Sequence, residues 1–167
     1  MAMTMDDRLA DLRSWRPLEC SLVRALEVVG TKAAMLIMRE AFYGTRRFDL
    51  FAQRVGMTDA VVAARLKELT EAGLLERVPY REAGQRTRYE YLTTPMGDDL
   101  FPVILGLMQW GDRYLAPDGG PLAVLDADGD PVSVTVSAPD GTPCSPEDLR
   151  LVPTGRRKPT AQDSSSR

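Results

Sequence analysis

Residues 44–92 read GTRRFDLFAQRVGMTDAVVAARLKELTEAGLLERVPYREAGQRTRYEYL. Apolar residues recur at helical spacing from Phe48 to Val55, and Gly56 directly after them favours a stop. Thr58 supplies a side-chain oxygen that can cap a second helix, which we expect over residues 59–72. The segment therefore predicts two helices joined by a tight turn.

The second of these helices has two chemically different faces. At about 100° per residue, Val62, Leu66 and Leu69 share one face, which we predict to be buried. Gly73 then favours the end of the helix. The other face carries side chains that are small or basic, namely Ala60, Ala63, Ala64 and Lys67.

A β-hairpin is predicted directly after the second helix. Residues 75–81 and 86–92 are rich in β-favouring side chains, including three tyrosines, and they flank a glycine-containing turn at residues 82–85. The hairpin would form a wing beside the helix pair. The predicted fold class is mainly α with a small β-hairpin wing (α+β), a winged helix-turn-helix.

Further helices are predicted on both sides of this segment. Residues 6–14 can form a short leading helix, and apolar residues 22–29 predict another that ends at Gly30. Thr31 can cap the helix that follows it. Residues 95–115 predict one long helix that carries more apolar side chains than the outer helix of a small domain needs, which indicates a partner surface.

The chain changes character after residue 116. Residues 122–125 and 132–137 can pair as a small antiparallel hairpin, and residues 156–167 read as a disordered polar tail. We therefore divide the chain into an N-terminal helical arm (1–15), a domain that contains the winged helix-turn-helix (16–116), a small β extension (117–155) and the tail.

The composition argues against an enzyme and against a metal protein. The 167 residues include no histidine and only two cysteines, Cys20 and Cys144, which lie far apart and outside any CxxC pattern. This removes histidine-based catalysis and a cysteine-rich zinc site, so we expect no cofactor and no metal, although catalysis by carboxylates alone stays open. The short apolar runs and the lack of a signal-peptide pattern predict a cytoplasmic protein without a membrane span.

The charge of the chain is distributed unevenly. Its net charge is −3, yet basic residues exceed acidic ones by two between residues 44 and 91, so the remainder sums to −5. DNA-binding proteins act through local basic patches of this kind, even when the whole chain is acidic.

The sequence resembles the HxlR-type regulators, winged-helix relatives of the MarR proteins. The residues that carry the resemblance are Cys20-Ser21-Leu22, Arg24-Ala25-Leu26, Gly30, Lys32, Arg46-Arg47-Phe48, Ala64-Arg65-Leu66-Lys67-Glu68-Leu69, Ala72-Gly73-Leu74 and Arg88-Tyr89-Glu90-Tyr91. The resemblance covers residues 16–115. It implies a homodimeric, double-stranded DNA-binding regulator whose first and last helices form the dimer interface.

The chain departs from the family pattern at Ser21, where the family usually has proline, and at Ala33, where it usually has tryptophan. Some family members carry a C-terminal metal-binding ribbon with paired cysteines, and the segment around Cys144 resembles a remnant of it. Because the pairs are missing, we predict no metal there.

The helix over residues 59–72, as the recognition helix, and the wing define the expected DNA contacts. A helix fits the major groove, while a basic hairpin can lie along the backbone or enter the minor groove. For Arg65, both a phosphate contact and a role in covering the core stay open. The expected DNA-binding residues are Arg46, Arg47, Thr58, Asp59, Ala60, Ala63, Ala64, Arg65, Lys67, Arg81, Arg86 and Arg88.

The resemblance also suggests a dimer interface and a switch. The expected interface residues are Leu12, Leu100, Ile104, Leu107, Met108 and Trp110. Cys20 matches a position where several family members carry an oxidant-sensing thiol, and the alternative is a small apolar residue in helix packing. A small-molecule effector bound near the methionines is a further hypothesis, and plain core packing is its alternative. The competing functional hypothesis is a winged-helix protein-interaction module that does not bind DNA.

Overall fold

The helix Lys32–Phe42 lies at the centre of the larger of two units into which the chain divides. The larger unit is Leu18–Val134, and the smaller one combines Met1–Pro17 with Thr135–Arg167. The computed structural model describes residues 2–9, 20–81, 84 and 86–153. Leu12 and the tail 156–167 therefore lie outside the described residues.

The described residues form six α-helices and four strands. In chain order these are β1 (Thr4–Met5), α1 (Ser21–Val29), α2 (Lys32–Phe42), α3 (Phe48–Val55), α4 (Asp59–Glu71), β2 (Leu75–Tyr80), β3 (Arg88–Thr93), α5 (Pro95–Asp98), α6 (Phe101–Leu115) and β4 (Arg150–Leu151). Strands β2 and β3 are antiparallel, with Leu75 opposite Thr93 and Tyr80 opposite Arg88. The predicted helix pair and hairpin are confirmed.

The core of the larger unit forms where α2, α3 and α4 meet. Its side chains with no exposed surface are Ala34, Ile37, Met38, Phe51, Val62, Leu66 and Leu69. The prediction that one face of α4 is buried is thus confirmed. Burial of each large apolar side chain contributes about 1.5–3 kcal/mol, so this face fixes how α4 is rotated about its axis.

Gly73 ends helix α4. Gly73 adopts a φ of 80° in the left-handed region, which a residue with a side chain avoids. Its amide donates to the carbonyl of Thr70, and the amide of Leu74 donates to that of Leu69 at 2.9 Å. These two bonds form a Schellman ending that turns the chain directly into β2.

The single long helix predicted over residues 95–115 is wrong, because the chain forms two helices there. Thr94 caps α5, with its hydroxyl accepting from the amide of Gly97 at 3.1 Å. Pro102 occupies the first turn of α6, where it has no N–H to donate toward the residue four positions earlier. The break at residues 99–100 follows from this missing hydrogen bond.

The leading helix predicted over residues 6–14 is also not seen in its described part. Residues 4–5 are instead strand β1, which pairs in parallel with β4, and a 3-10 turn follows at Asp7–Leu9. Asp6 accepts hydrogen bonds from the amide and the guanidinium of Arg8, and it lies 3.2 Å from Arg150. The bonds from Arg8 lower the pKa of Asp6 to about 2. The pairing of β1 with β4 joins residues about 145 positions apart. A pattern of nearby residues cannot indicate such a pairing.

The hairpin predicted in the extension is confirmed only at its turn. Leu125 and Pro131 form a single antiparallel bridge. Beyond it, the side chain of Gln109 on α6 donates to the carbonyl of Val132 at 2.8 Å and accepts from the amide of Val134 at 3.0 Å. The amide of Val132 also donates to the carbonyl of Val124 at 3.1 Å, so the two predicted segments pair at this end. The carbonyl of Val132 and the amide of Val134 are instead bonded to the side chain of Gln109.

A buried carboxylate connects α2 with α3. Glu40 is 4% exposed. One of its oxygens accepts from Arg39 at 2.8 Å, while the other accepts from the Thr45 hydroxyl at 3.2 Å and lies 3.5 Å from Arg54. Arg54 also donates to the Thr45 hydroxyl at 3.3 Å. We refer to these four residues as the Glu40 cluster.

We expect Glu40→Gln to lower the free energy of unfolding by about 2 kcal/mol, because charge-assisted hydrogen bonds in a buried site are lost. The matched control is Glu71→Gln, which removes an exposed carboxylate 3.7 Å from Lys67 and should cost less than about 0.5 kcal/mol. Urea unfolding of both variants measures the difference. Equal losses would show that the Glu40 cluster contributes no more than a surface pair.

Candidate nucleic-acid interface

The turn between α3 and α4 is built from two local devices. Gly56 ends α3 with a φ of 67°, a left-handed conformation that glycine adopts without strain. Thr58 then caps α4, with its hydroxyl accepting from the amide of Val61 at 3.5 Å. The turn thereby sets the direction of α4 relative to α3.

The face of α4 opposite the core is exposed and has short side chains. All the expected reading residues are exposed, namely Thr58, Asp59, Ala60, Ala63, Ala64 and Lys67. Val61, Glu68 and Glu71 of α4 are exposed as well. The ammonium of Lys67 lies 3.7 Å from Glu71, and both side chains are more than half exposed. Such a pair is weak, so Lys67 can exchange it for another anion at little cost.

Arg65 lies between the two faces of α4. Its side chain is 24% exposed and forms an ion pair with Glu68. Its Nε is buried without a hydrogen-bond partner among the described residues. A phosphate contact by Arg65 would therefore have to displace Glu68, and the choice between its two expected roles stays open.

The wing hairpin brings further arginines near α3. Arg81, Arg86 and Arg88 are exposed near its tip. Arg46 and Arg47 lie beside β3, since the carbonyl of Arg46 accepts from the amide of Tyr91 at 2.8 Å and Arg47 forms an antiparallel bridge with Glu90. The segment before α3 is thus hydrogen-bonded to β3, although it forms only an isolated bridge and no strand.

Two arginines of the wing region are stacked on tyrosine rings, a feature that the sequence analysis missed. The guanidinium carbon of Arg47 lies 4.8 Å from the centre of the Tyr80 ring, and that of Arg77 lies 3.4 Å from the Tyr89 ring. Arg77 was not among the expected DNA-binding residues. The alternation of arginine and tyrosine along the two strands is the signal that points to these pairs.

The sequence profile of the HxlR-like helix-turn-helix family matches residues 28–119. This chain belongs to that family. The match includes α2 to α6, and it confirms the HxlR-type resemblance and the winged helix-turn-helix fold.

Individual relatives agree with the family assignment. An uncharacterised HTH-type transcriptional regulator of Mycobacterium tuberculosis is 48% identical over 103 residues, which are 61% of this chain and 64% of the relative. The match therefore spans less than two thirds of that relative's length. The matched family and this relative are regulators and not enzymes, as expected from the missing catalytic groups.

Solved structures show the same architecture. PA1607, described as a candidate transcription factor, is 38% identical with a TM-score of 0.72, and the match covers 83% of this chain and 98% of PA1607. A match over 83% of this chain contains more residues than the range 1–116, so it includes part of the C-terminal extension. The redox regulator HypR in its oxidised form is 26% identical with a TM-score of 0.52, over 57% of this chain and 97% of HypR.

The expected dimer-interface residues occupy different environments in this HxlR-type chain. Ile104 is 5% exposed and belongs to the core, and Leu100 and Met108 are partly buried against it. Leu107 and Trp110 are 53% and 52% exposed. Further exposed apolar side chains are Val103, Tyr114 and Leu115 on α6 and Leu22 and Leu26 on α1.

The burial of Cys20 and the volume of one cavity bear on the expected switch and effector sites. Cys20 is half-buried at the position before α1. A cavity lined by Arg39, Phe42 and Met108, among others, has a volume of about 10 Å³, which holds at most one water molecule. No group of three or more potential metal ligands, and no helix long and apolar enough to cross a membrane, occurs among the described residues.

Proposed function

We propose that this protein is a sequence-specific, double-stranded DNA-binding transcription regulator that acts as a homodimer and represses its targets. The observation that carries the proposal is the exposed alanine-lined face of α4, flanked by a wing that bears exposed arginines. The family assignment and the regulators among the relatives support it.

The proposed mechanism assigns different tasks to α4 and to the wing. The short side chains of Ala60, Ala63 and Ala64 let α4 approach the floor of the major groove and contact thymine methyl groups. The start of α4 at Thr58 offers backbone and hydroxyl donors, and Lys67 offers a longer one. The arginines of the wing hold the phosphate backbone, which adds affinity without reading sequence.

The homodimer is proposed from the exposed apolar side chains of α1 and α6. Two copies joined there would present two α4 helices to one duplex, so the operator would contain two related half-sites about one helical turn, or a multiple of it, apart.

Binding to a fluorescent duplex from the DNA upstream of the protein's own gene tests the proposal. We expect tight binding that resists random competitor DNA and weakens steeply with salt, since counterions are released from the phosphates. If neither this duplex nor any member of a random oligonucleotide pool is selected, the chain is an interaction module that does not bind DNA.

We expect Arg88→Ala to weaken binding to every duplex by about tenfold and to lower the salt slope by about 1, because it removes a phosphate contact. Lys67→Ala should in addition change the preferred sequence in a selection experiment. Lys32→Ala, which removes an exposed charge at the start of α2, is the control and should leave affinity unchanged. If Arg88→Ala and Lys67→Ala lower the affinity for every duplex sequence by the same factor, the division of tasks is refuted.

We expect Leu107→Glu to convert the dimer into a monomer and to weaken operator binding, because it places a charge in an apolar interface. Sedimentation equilibrium measures the mass. Val136→Glu, at an apolar residue that is 62% exposed outside α1 and α6, should leave the dimer intact. A monomeric wild-type protein, or a dimeric Leu107→Glu variant, would contradict this interface.

Response to oxidants through Cys20 is a second part of the proposal, supported by the likeness to the redox regulator HypR. Mild oxidation should change the DNA affinity of the wild-type protein and leave that of Cys20→Ser unchanged. Cys144→Ser serves as the control for the other thiol. If the wild-type affinity is the same before and after oxidation, Cys20 is a packing residue only.

A further inference from the structure

A shallow depression lies between the beginning of α3 and the wing hairpin. Its volume is about 400 Å³, and its lining includes the arginines and tyrosines Arg47, Arg77, Arg88, Tyr80, Tyr89 and Tyr91. The sequence analysis placed Arg47 and Arg88 among separate DNA contacts and did not consider Arg77. The fold brings the three guanidinium groups to one concave surface.

The charge of this depression favours an anion. Two acidic residues accompany the three arginines, Asp49 in the lining and Glu90 on β3. Glu90 lies 3.6 Å from Arg47. Arg77 and Arg88 have no ion-pair partner among the described residues, so their charges exceed what Asp49 can neutralise.

Ring stacking holds Arg77 in place without using its hydrogen-bond donors. The guanidinium carbon lies 3.4 Å from the centre of the Tyr89 ring, so a cation–π contact holds the group and uses none of its N–H donors. A stacked guanidinium loses less side-chain entropy when it binds a ligand, because it is already ordered. The planar edge matches the oxygens of a phosphate in a bidentate geometry.

We propose that this depression is a seat for one phosphodiester of the DNA backbone, with Arg77 as its main anion-binding residue and Tyr89 as the residue that positions it. The inference rests on the proposed function, since α4 in the major groove brings a backbone strand to the wing. It adds a phosphate contact away from the face of α4 that reads bases. The shared chemistry, a phosphate oxygen, could also come from a free phosphate.

The test measures binding of the full chain to its selected duplex over a range of salt concentrations. Arg77→Gln should weaken binding about tenfold for all sequences and lower the salt slope by about 1. Tyr89→Leu keeps the charge but removes the ring, so it should weaken binding about threefold with the salt slope unchanged. Lys32→Gln removes one exposed charge elsewhere and should change neither quantity. Equal urea midpoints for the variants exclude unfolding as the cause.

Duplexes in which single phosphates are replaced by neutral methylphosphonates identify the seat. One replacement should weaken wild-type binding by about the same factor as Arg77→Gln and should have no further effect on that variant. The proposal is wrong if Arg77→Gln binds like the wild type, or if the two losses multiply at every position. If Arg77→Gln instead abolishes binding of inorganic phosphate and keeps full DNA affinity, DNA as the source of the phosphate is refuted. A wild-type chain that binds no duplex at all would refute the proposed function itself, which separates that failure from failure of the seat.

Discussion

Burial of one face of α4 is the constraint on which the rest of the structure depends. Val62, Leu66 and Leu69 have no exposed surface, and turning the helix by even one residue position would bring an apolar side chain into water at a cost of about 1.5–3 kcal/mol. The orientation of the opposite face is then no longer free. The alanines and Lys67 are held toward solvent, together with Val61, Glu68 and Glu71. A rigid helix keeps the side chains that we propose to read DNA in fixed positions.

The neighbours of α4 extend this constraint to the arginines that we propose to bind phosphate. The Glu40 cluster ties α3 to the central helix α2 through Thr45 and Arg54. Arg46 and Arg47, which directly follow Thr45, are paired with β3. The helix pair and the wing are therefore parts of one framework, so a charged group on the wing keeps a defined distance from α4. Phosphate contacts that are fixed in this way set the register of a protein on a duplex.

The predictions that the structure corrects differ in their physical cause. The helix pair, its caps and the hairpin depend on residues a few positions apart, and all of them were predictable. In its described part, the predicted leading helix is a 3-10 turn that follows the pairing of Thr4 and Met5 with Arg150 and Leu151. The second segment of the extension pairs with the first at Val132, and the side chain of Gln109 then bonds to the backbone of Val132 and Val134. In each case a partner distant in sequence satisfies the backbone or competes for it. The long helix failed for a local reason that was visible in the sequence, namely Pro102.

The sequence by itself determined the two faces of α4, the glycine stops, the caps and the basic balance of residues 44–91, because periodicity and backbone preference act within one element. It did not determine which arginines are held by aromatic rings, that Ile104 is part of the core while Leu107 is exposed, or that three guanidinium groups line one depression. Those features depend on how separate elements pack. The packing brings Arg47, Arg77 and Arg88 together from three different segments. Only the tertiary structure determines that residues so far apart in sequence lie close in space.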